Sequence, residues 1–318
     1  MTASMKSVNS KHQLTGKDFL TLADYTSEEI NYLLELASYQ KKQQKNGKID
    51  QPLKGKTLGM IFEKSSTRTR VSFEVGIYQL GGTGLFLSTD DIQLGRGEPI
   101  PDTAKVLSGY LDGIMIRTYS QSVVEELAAN ASIPVINGLT DMYHPCQMLA
   151  DMQTINEEKG KLNGVNVAYI GDGNNVAHSL MIGSAKMGMN ISIAAPKGYQ
   201  PDATITEKAR SFTSNNKVVV TEDVTEAVKN ADVIYTDVWA SMGQESEQEK
   251  RVQAFKEFQV NKQLLSYAKP DVTFMHCLPA HRGEEVTAEV IDGKHSVVFQ
   301  QAENRLHAQK ALMTALMG

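Results

Sequence analysis

Short apolar runs, each closed by a polar turn and followed by an amphipathic stretch, recur along almost the whole chain and restrict its fold more than any other feature. Leu58–Phe62, Gly113–Arg117 and Ile133–Ile136 have the length and composition of strands, as do Val165–Ile170, Ile191–Ala195, Val218–Val220, Val233–Thr236 and Val272–Met275, several of them buried, and Leu85–Leu87 reads as a further strand. Helical spacing fills the intervals at Val71–Leu80, Thr103–Leu111 and Val123–Ala129, from Met148, and from near Val176. Strand, helix, strand in repetition gives parallel sheets joined by right-handed crossovers. A chain of 318 residues exceeds what one hydrophobic core usually serves. The expected architecture is therefore α/β, with two doubly wound parallel-sheet domains. The second domain restarts at Val165, after the charged segment INEEKGKLNG.

The remaining segments read more simply. Thr26 caps a helix with Glu28 and Glu29 in its first turn and Ile30, Leu33, Leu34 and Leu36 along one stripe. The polar run Lys41–Lys48 is expected to end it as a solvated loop. Ser88–Asp102, dense in glycine, proline and charge, is expected to be a loop long enough to carry function. VVFQQAENRLHAQKALMTALM, from Val297, reads as a strand end followed by a long amphipathic helix.

Charge and composition exclude several classes. A net charge of −5 argues against a general nucleic-acid or membrane surface, so basic residues matter here by position. Two cysteines, Cys146 and Cys277, make neither a disulfide framework nor a zinc spacing and suit a reducing compartment. The first residues lack the apolar core of a signal peptide, and nowhere do eighteen apolar residues run together. A cytoplasmic protein with no membrane or nucleic-acid partner is expected.

In a parallel sheet, ligands collect at the carboxyl ends of strands, and there this sequence concentrates its polar groups. KSSTRTR, Lys64–Arg70, follows a strand and opens a helix, combining three bases with the hydroxyls of Ser65, Ser66, Thr67 and Thr69. Unpaired backbone N–H groups and the helix dipole at such a junction favour a phosphate, which arginine can grip in bidentate fashion. Arg117 ends another strand, and His144, Pro145 and Gln147 lie where a third hands over to a helix. GDGNN, Gly171–Asn175, suggests a dinucleotide turn, but the third glycine is absent. The following strand ends in Pro196 and Lys197 where an acid should hold a ribose. Asn174 and Asn175 are read instead as hydrogen-bonding groups for a small polar ligand. Asp237, with Ser241, Met242 and Gly243 just beyond it, offers a carboxylate, a hydroxyl and backbone N–H groups suited to an amino acid. His276, Cys277 and His281 lack a fourth ligand and a recognised spacing, so no metal is expected.

SSTRTR, HPCQ, GDGNN, DVWASMG from Asp237, HCLP from His276 and AENR from Ala302 together resemble the aspartate/ornithine carbamoyltransferase family, from about Leu14 onward. The resemblance implies a carbamoyl phosphate domain over residues 1–147, an ornithine domain over 148–300, and a last helix, 301–318, returning to the first. It implies an active site in the cleft between the domains, and a homotrimer with active sites at subunit interfaces. In this reading Ser66, Thr67, Arg68 and Thr69 hold the phosphate, with Arg117 helping and Gln93 reaching in from a neighbouring subunit. Arg117, His144 and Thr69 polarise the carbamoyl oxygen. Gln147, the main-chain carbonyls of Cys277 and Leu278, and Arg305 hold the amide end. Asn175, Asp237, Ser241 and Met242 bind ornithine, leaving its δ-amine beside Cys277 and Asp237. Cys146 receives no role.

The implied reaction transfers the carbamoyl group of carbamoyl phosphate to the δ-amine of L-ornithine, giving L-citrulline and phosphate, with neither cofactor nor metal. Its setting would be amino-acid metabolism, in particular arginine biosynthesis. An aspartate-specific enzyme would read a second carboxylate with basic residues, whereas Asp237 presents an acid to an amine. A putrescine-specific enzyme would have no α-carboxylate to bind, and the resemblance associates Ser241, Met242 and Gly243 with ornithine. A non-catalytic amino-acid-binding protein would not need Arg117 and His144 beside a phosphate turn.

Overall fold

The computed structural model describes residues 14–48, 50–93, 97–240 and 247–318. The chain forms two compact units, Met1–Gln153 with Asn304–Gly318, and Thr154–Glu303.

The first unit contains α1 (Ser27–Lys45), β1 (Thr57–Phe62), α2 (Thr67–Gln79), β2 (Thr83–Ser88), α3 (Ile100–Ser108), β3 (Gly113–Arg117), α4 (Gln121–Asn130), β4 (Val135–Leu139) and the start of α5 (Pro145–Lys159). Its sheet has the order β2-β1-β3-β4, with every pairing parallel. The chain leaves β1 to one side for β2 and returns on the other side at β3. The sheet therefore switches direction between β1 and β3, where Phe62 pairs with Arg117. Ile61, Ile114, Ile116, Val124, Leu127 and Val135 pack one face of the sheet against the helices.

The second unit continues with β5 (Asn166–Ile170), α6 (Asn175–Lys186), β6 (Asn190–Ala194), α7 (Ala203–Ser211), β7 (Val218–Thr221), α8 (Val224–Val228) and β8 (Val233–Thr236). There follow α9 (Gln248–Phe255), α10 (Lys262–Leu265), β9 (Thr273–His276), α11 (Ala288–Ile291) and the first turns of α12 (Val298–Met317). Its sheet is also parallel, ordered β7-β6-β5-β8-β9, and switches direction between β5 and β8. Ile170, Ile234, Trp239, Phe255 and Phe274 lie in its core. The strand and helix alternation in the sequence thus gives two doubly wound parallel sheets.

Several expected boundaries move, each for a local reason. Lys41–Lys48 is not a solvated loop at its start: α1 continues to Lys45, and Lys41 is buried, donating to Asn304 Oδ1 at 2.7 Å. The run contains no breaker before Asn46 and Gly47, whose φ of +69° suits the turn that ends it. β4 extends to Leu139, so Asn137 belongs to the strand. α5 begins at Pro145, which lacks an N–H to leave unsatisfied in a first turn. Part of the expected loop before Thr103 is helical from Ile100, with proline again in the first turn. Ahead of α12 the chain makes one isolated bridge, Ser296 to Phe274, and is helical from Val298, so VVFQQ is no strand end.

Candidate active site

Two groups of polar side chains stand at the two switch points, one in each unit. In the first unit, Ser66 caps α2, its Oγ accepting from Thr69 N–H at 3.1 Å. The first turn of α2 carries Arg68 and Arg70 and no acidic residue, so nothing acidic there offsets the positive helix end. The three bases of KSSTRTR then separate. Lys64 is buried, paired with Asp141, and its ammonium lies 4.1 Å from the centre of the Tyr119 ring. Arg70 is exposed, reaches Glu74 at 3.5 Å and covers the Phe86 ring at 3.8 Å. Arg68, half-buried, has no carboxylate partner among the described residues.

Arg117 at the end of β3 and His144 ahead of α5 are both buried. Burial chiefly, and then the charges of Arg305, Arg117 and Arg68, hold the His144 imidazole well below its ordinary pKa. A neutral ring among three guanidinium groups marks a place built for an anion. Gln147 donates to Asp151 Oδ1 at 2.8 Å and accepts from Arg305 Nη1 at 2.6 Å, while Arg305 Nη2 donates to Thr69 Oγ1 at 3.1 Å. Ser66, Thr67, Arg68, Thr69, Arg117, His144, Gln147 and Arg305 thus all belong to this unit. Gln93 sits on an exposed turn after β2, and none of its described hydrogen bonds reaches the other candidates.

In the second unit, the GDGNN turn joins β5 to α6. A Cβ on Gly173 would stand 2.1 Å from the Pro201 nitrogen, so this glycine is required by a neighbouring stretch of backbone. Asn174, expected from its sequence position to meet a small polar ligand, makes hydrogen bonds within the unit. Its Oδ1 caps α6, accepting from Val176 and Ala177 N–H at 3.0 and 3.2 Å, and its Nδ2 donates to Asp237 Oδ2 at 2.8 Å. Asp237, buried just past β8, also accepts from Val238 N–H at 2.8 Å and Cys277 Sγ at 2.9 Å, both on Oδ1. A carboxylate offers about four lone-pair positions, so these three donors leave capacity for another. Asn175 follows as the first, half-buried residue of α6. Ser241 and Met242 lie outside the described residues.

The turn after β9 is held from beneath. His276 is fully buried; its Nδ1 accepts from Leu278 N–H at 2.8 Å, which leaves the proton on Nε2, 3.0 Å from Glu285 Oε1. The same carboxylate oxygen accepts from His281 N–H at 2.7 Å. Leu278 adopts φ +59°, a left-handed conformation that a leucine takes only where its surroundings require it. Asp237, His276 and Cys277 place potential metal-binding atoms within 4.8 Å of one another, as do His281, Glu284 and Glu285. Both His276 nitrogens are already engaged, so the first of these donor sets does not fit a resident ion.

Sequence reasoning passed over the supporting groups Asp141, Asp151, Glu285 and Arg251. Arg251 lies 3.1 Å from Asp172 and donates to the Trp239 carbonyl at 2.9 Å. Burial pushes the Asp172 carboxyl up to about 6 against the pull of Arg251. Asp141 and Arg251 meet Lys64 and Asp172 far away in sequence, whereas Asp151 and Glu285 have partners within nine residues, at spacings that are common along any chain.

The geometry has counterparts in known proteins. Residues 17–157 match the aspartate/ornithine carbamoyltransferase carbamoyl-P binding domain, and residues 163–316 match the Asp/Orn binding domain of the same family. The chain belongs to the aspartate/ornithine carbamoyltransferase family. Within this family it is 69% identical to the ornithine carbamoyltransferase of Oceanobacillus iheyensis, over all of the chain and 99% of the relative. It is 64% identical to that of Bacillus subtilis, over 96% of the chain and 95% of the relative. The solved ornithine carbamoyltransferase of Pyrococcus furiosus superposes with a TM-score of 0.94 at 57% identity, covering 97% of the chain and 99% of that structure. These carbamoyltransferases share both matched domains along essentially the full length of the chain.

Proposed function

We propose that this chain is an ornithine carbamoyltransferase, converting carbamoyl phosphate and L-ornithine to L-citrulline and phosphate. The observation that carries the reading is the group in the first unit, a helix start with three arginines around a neutral imidazole, and the second unit by itself holds a buried carboxylate that can receive an amine. The high identity to proteins named for this activity supports it.

Ser66, Thr67, Arg68 and Thr69, with Arg117, would bind the phosphate at the start of α2. Arg117, His144 and Thr69 would donate to the carbamoyl oxygen. Gln147 Oε1, oriented by Arg305, and the Cys277 and Leu278 carbonyls would accept from the carbamoyl nitrogen. Asn175, Asp237, Ser241 and Met242 would hold ornithine's α-amino and α-carboxyl groups, leaving its δ-amine beside Cys277 and Asp237. The neutral δ-amine attacks the carbonyl carbon, and negative charge grows on an oxygen already faced by donors, where preorganised hydrogen bonds act most strongly. Collapse of the tetrahedral intermediate breaks the bond to the phosphate oxygen, and phosphate leaves into the cationic turn. The displaced amine proton passes to a base, for which Asp237, linked to Cys277, is the candidate.

The proposed assembly is a homotrimer in the cytoplasm, with Gln93 of a neighbouring subunit completing the phosphate site. Exposed Val71, Val75 and Tyr78 along one face of α2, and Leu85 and Phe86 on the edge strand β2, support a subunit contact. No described helix is long and apolar enough to cross a membrane. The decisive assay offers ornithine, putrescine or aspartate in turn with carbamoyl phosphate. Citrulline from ornithine at a rate far above the other two products is expected, and preference for putrescine or aspartate would overturn the assignment.

A further inference from the structure

Arg305, which meets Gln147 through Nη1 and Thr69 through Nη2, is also gripped at Nε and Nη2 by a residue that no motif marks. The Gln309 amide, fully buried one turn further along α12, places one end 3.2 Å from Arg305 Nε and 3.0 Å from Nη2, and the other 2.5 Å from Ser72 Oγ. A guanidinium can only donate, so the amide oxygen must face Arg305 and the NH2 must face Ser72. Ser72 in turn donates to the Arg68 carbonyl at 2.5 Å. A continuous chain of hydrogen bonds therefore runs from the first turn of α2, through Ser72 and Gln309, to Arg305, and on through Gln147 to Asp151.

This chain ties together two parts of the anion site that are far apart in sequence. Rotation of the Arg305 side chain would break its bonds to Thr69, Gln147 and Gln309 together, so the guanidinium plane is fixed before any ligand arrives. We propose that Gln309, anchored by Ser72, is a positioning residue for carbamoyl phosphate, presetting Arg305 relative to the phosphate-binding start of α2. The proposal rests on the reading of this unit as the carbamoyl phosphate site.

The test compares equilibrium binding of carbamoyl phosphate and steady-state KM values in wild type, Gln309→Leu, Ser72→Ala, Arg305→Leu and the Gln309→Leu/Arg305→Leu double variant. Gln309→Leu should raise Kd and KM for carbamoyl phosphate about three- to tenfold while KM for ornithine changes less than twofold. Ser72→Ala should act in the same direction more weakly and serves if Gln309→Leu does not fold. In the Arg305→Leu background, loss of Gln309 should weaken binding no further, because its effect passes through Arg305. An unchanged carbamoyl phosphate affinity, an equal rise in both KM values, or additive losses in the double variant would each overturn the proposal. Wild type that binds no carbamoyl phosphate would instead sink the assignment of the site, and this proposal with it.

Discussion

A histidine surrounded by Arg68, Arg117 and Arg305 cannot serve as a cationic acid near neutral pH, because burial and those charges keep it neutral. A neutral imidazole still has one N–H to donate, which is what an oxyanion requires. His144→Ala should lower kcat about 10²- to 10³-fold, the usual cost of one oxyanion donor. It should leave the shape of the pH profile alone. That shape belongs to the ornithine δ-amine, which is protonated near neutrality, so wild-type rate at fixed ornithine should climb between about pH 6 and 9. A flat profile would count against amine attack, and an altered shape in the variant would show His144 titrating. Stability follows the same sign. With a folded pKa below the unfolded value of about 6.5, His144 contributes stability that is complete above that pH and is lost as pH falls toward the folded pKa. Urea midpoints should therefore drop less between pH 7 and 5 in His144→Ala than in wild type. Arg68 has the separate proposed task of phosphate binding, and Arg68→Ala should weaken carbamoyl phosphate about 10- to 100-fold by calorimetry while KM for ornithine is retained. The sequence position of Arg68 at a helix start revealed its surroundings. The diversion of Lys64 to Asp141 and of Arg70 to Phe86 did not show in the sequence, since the three bases of the heptad look alike until the fold supplies their distant partners.

At the scale of elements, most strands were legible because a strand buried on both faces reads as a continuous apolar run, while β2 reads the same way although it is exposed. β3 and β8 match the expected limits residue for residue. Helix ends were harder to read. α1 carries its polar tail past Lys41 because the tail meets α12, a partner more than 260 residues away that no window along the sequence includes. The division between units falls within α5 and within α12, where continuous helical spacing gives no compositional break. The Asp172–Arg251 pair was equally hidden, and it joins the GDGNN turn, the segment after β8 and α9. Arg251→Met would leave Asp172 buried without its cation, and removing one partner of such a pair typically costs about 3–5 kcal/mol. The carboxyl is already raised to about 6, so its proton is released in the folded wild type as pH rises through that value. In the variant release is postponed to higher pH. The stability deficit should consequently widen from pH 6 upward, which urea unfolding at pH 5.5 and 8 can measure. A deficit independent of pH would mean that Asp172 is not the group left uncompensated.

For the whole molecule, the proposed assembly turns on one surface of the first unit. Val71, Val75 and Tyr78 recur at helical spacing on the outer face of α2, and Tyr78 is 77% exposed. Leu85 and Phe86 add exposed apolar area on β2, the edge of its sheet, whose unpaired side would otherwise invite indiscriminate pairing. Such a patch is costly to leave in water and suits burial against a second copy of the chain. The same edge strand leads into the turn that carries Gln93, the candidate expected to serve a neighbour's phosphate site. Assembly and activity should therefore fail together. Val75→Glu with Tyr78→Glu places two carboxylates in the patch without touching the core, and sedimentation velocity should shift from trimer to monomer while far-ultraviolet circular dichroism is preserved. Citrulline formation should fall at least as far as in Gln93→Ala, because under the proposed assembly a monomer would lack that residue from a neighbour. A trimer that persists would place the contact elsewhere, and a fully active monomer would remove Gln93 from the phosphate site.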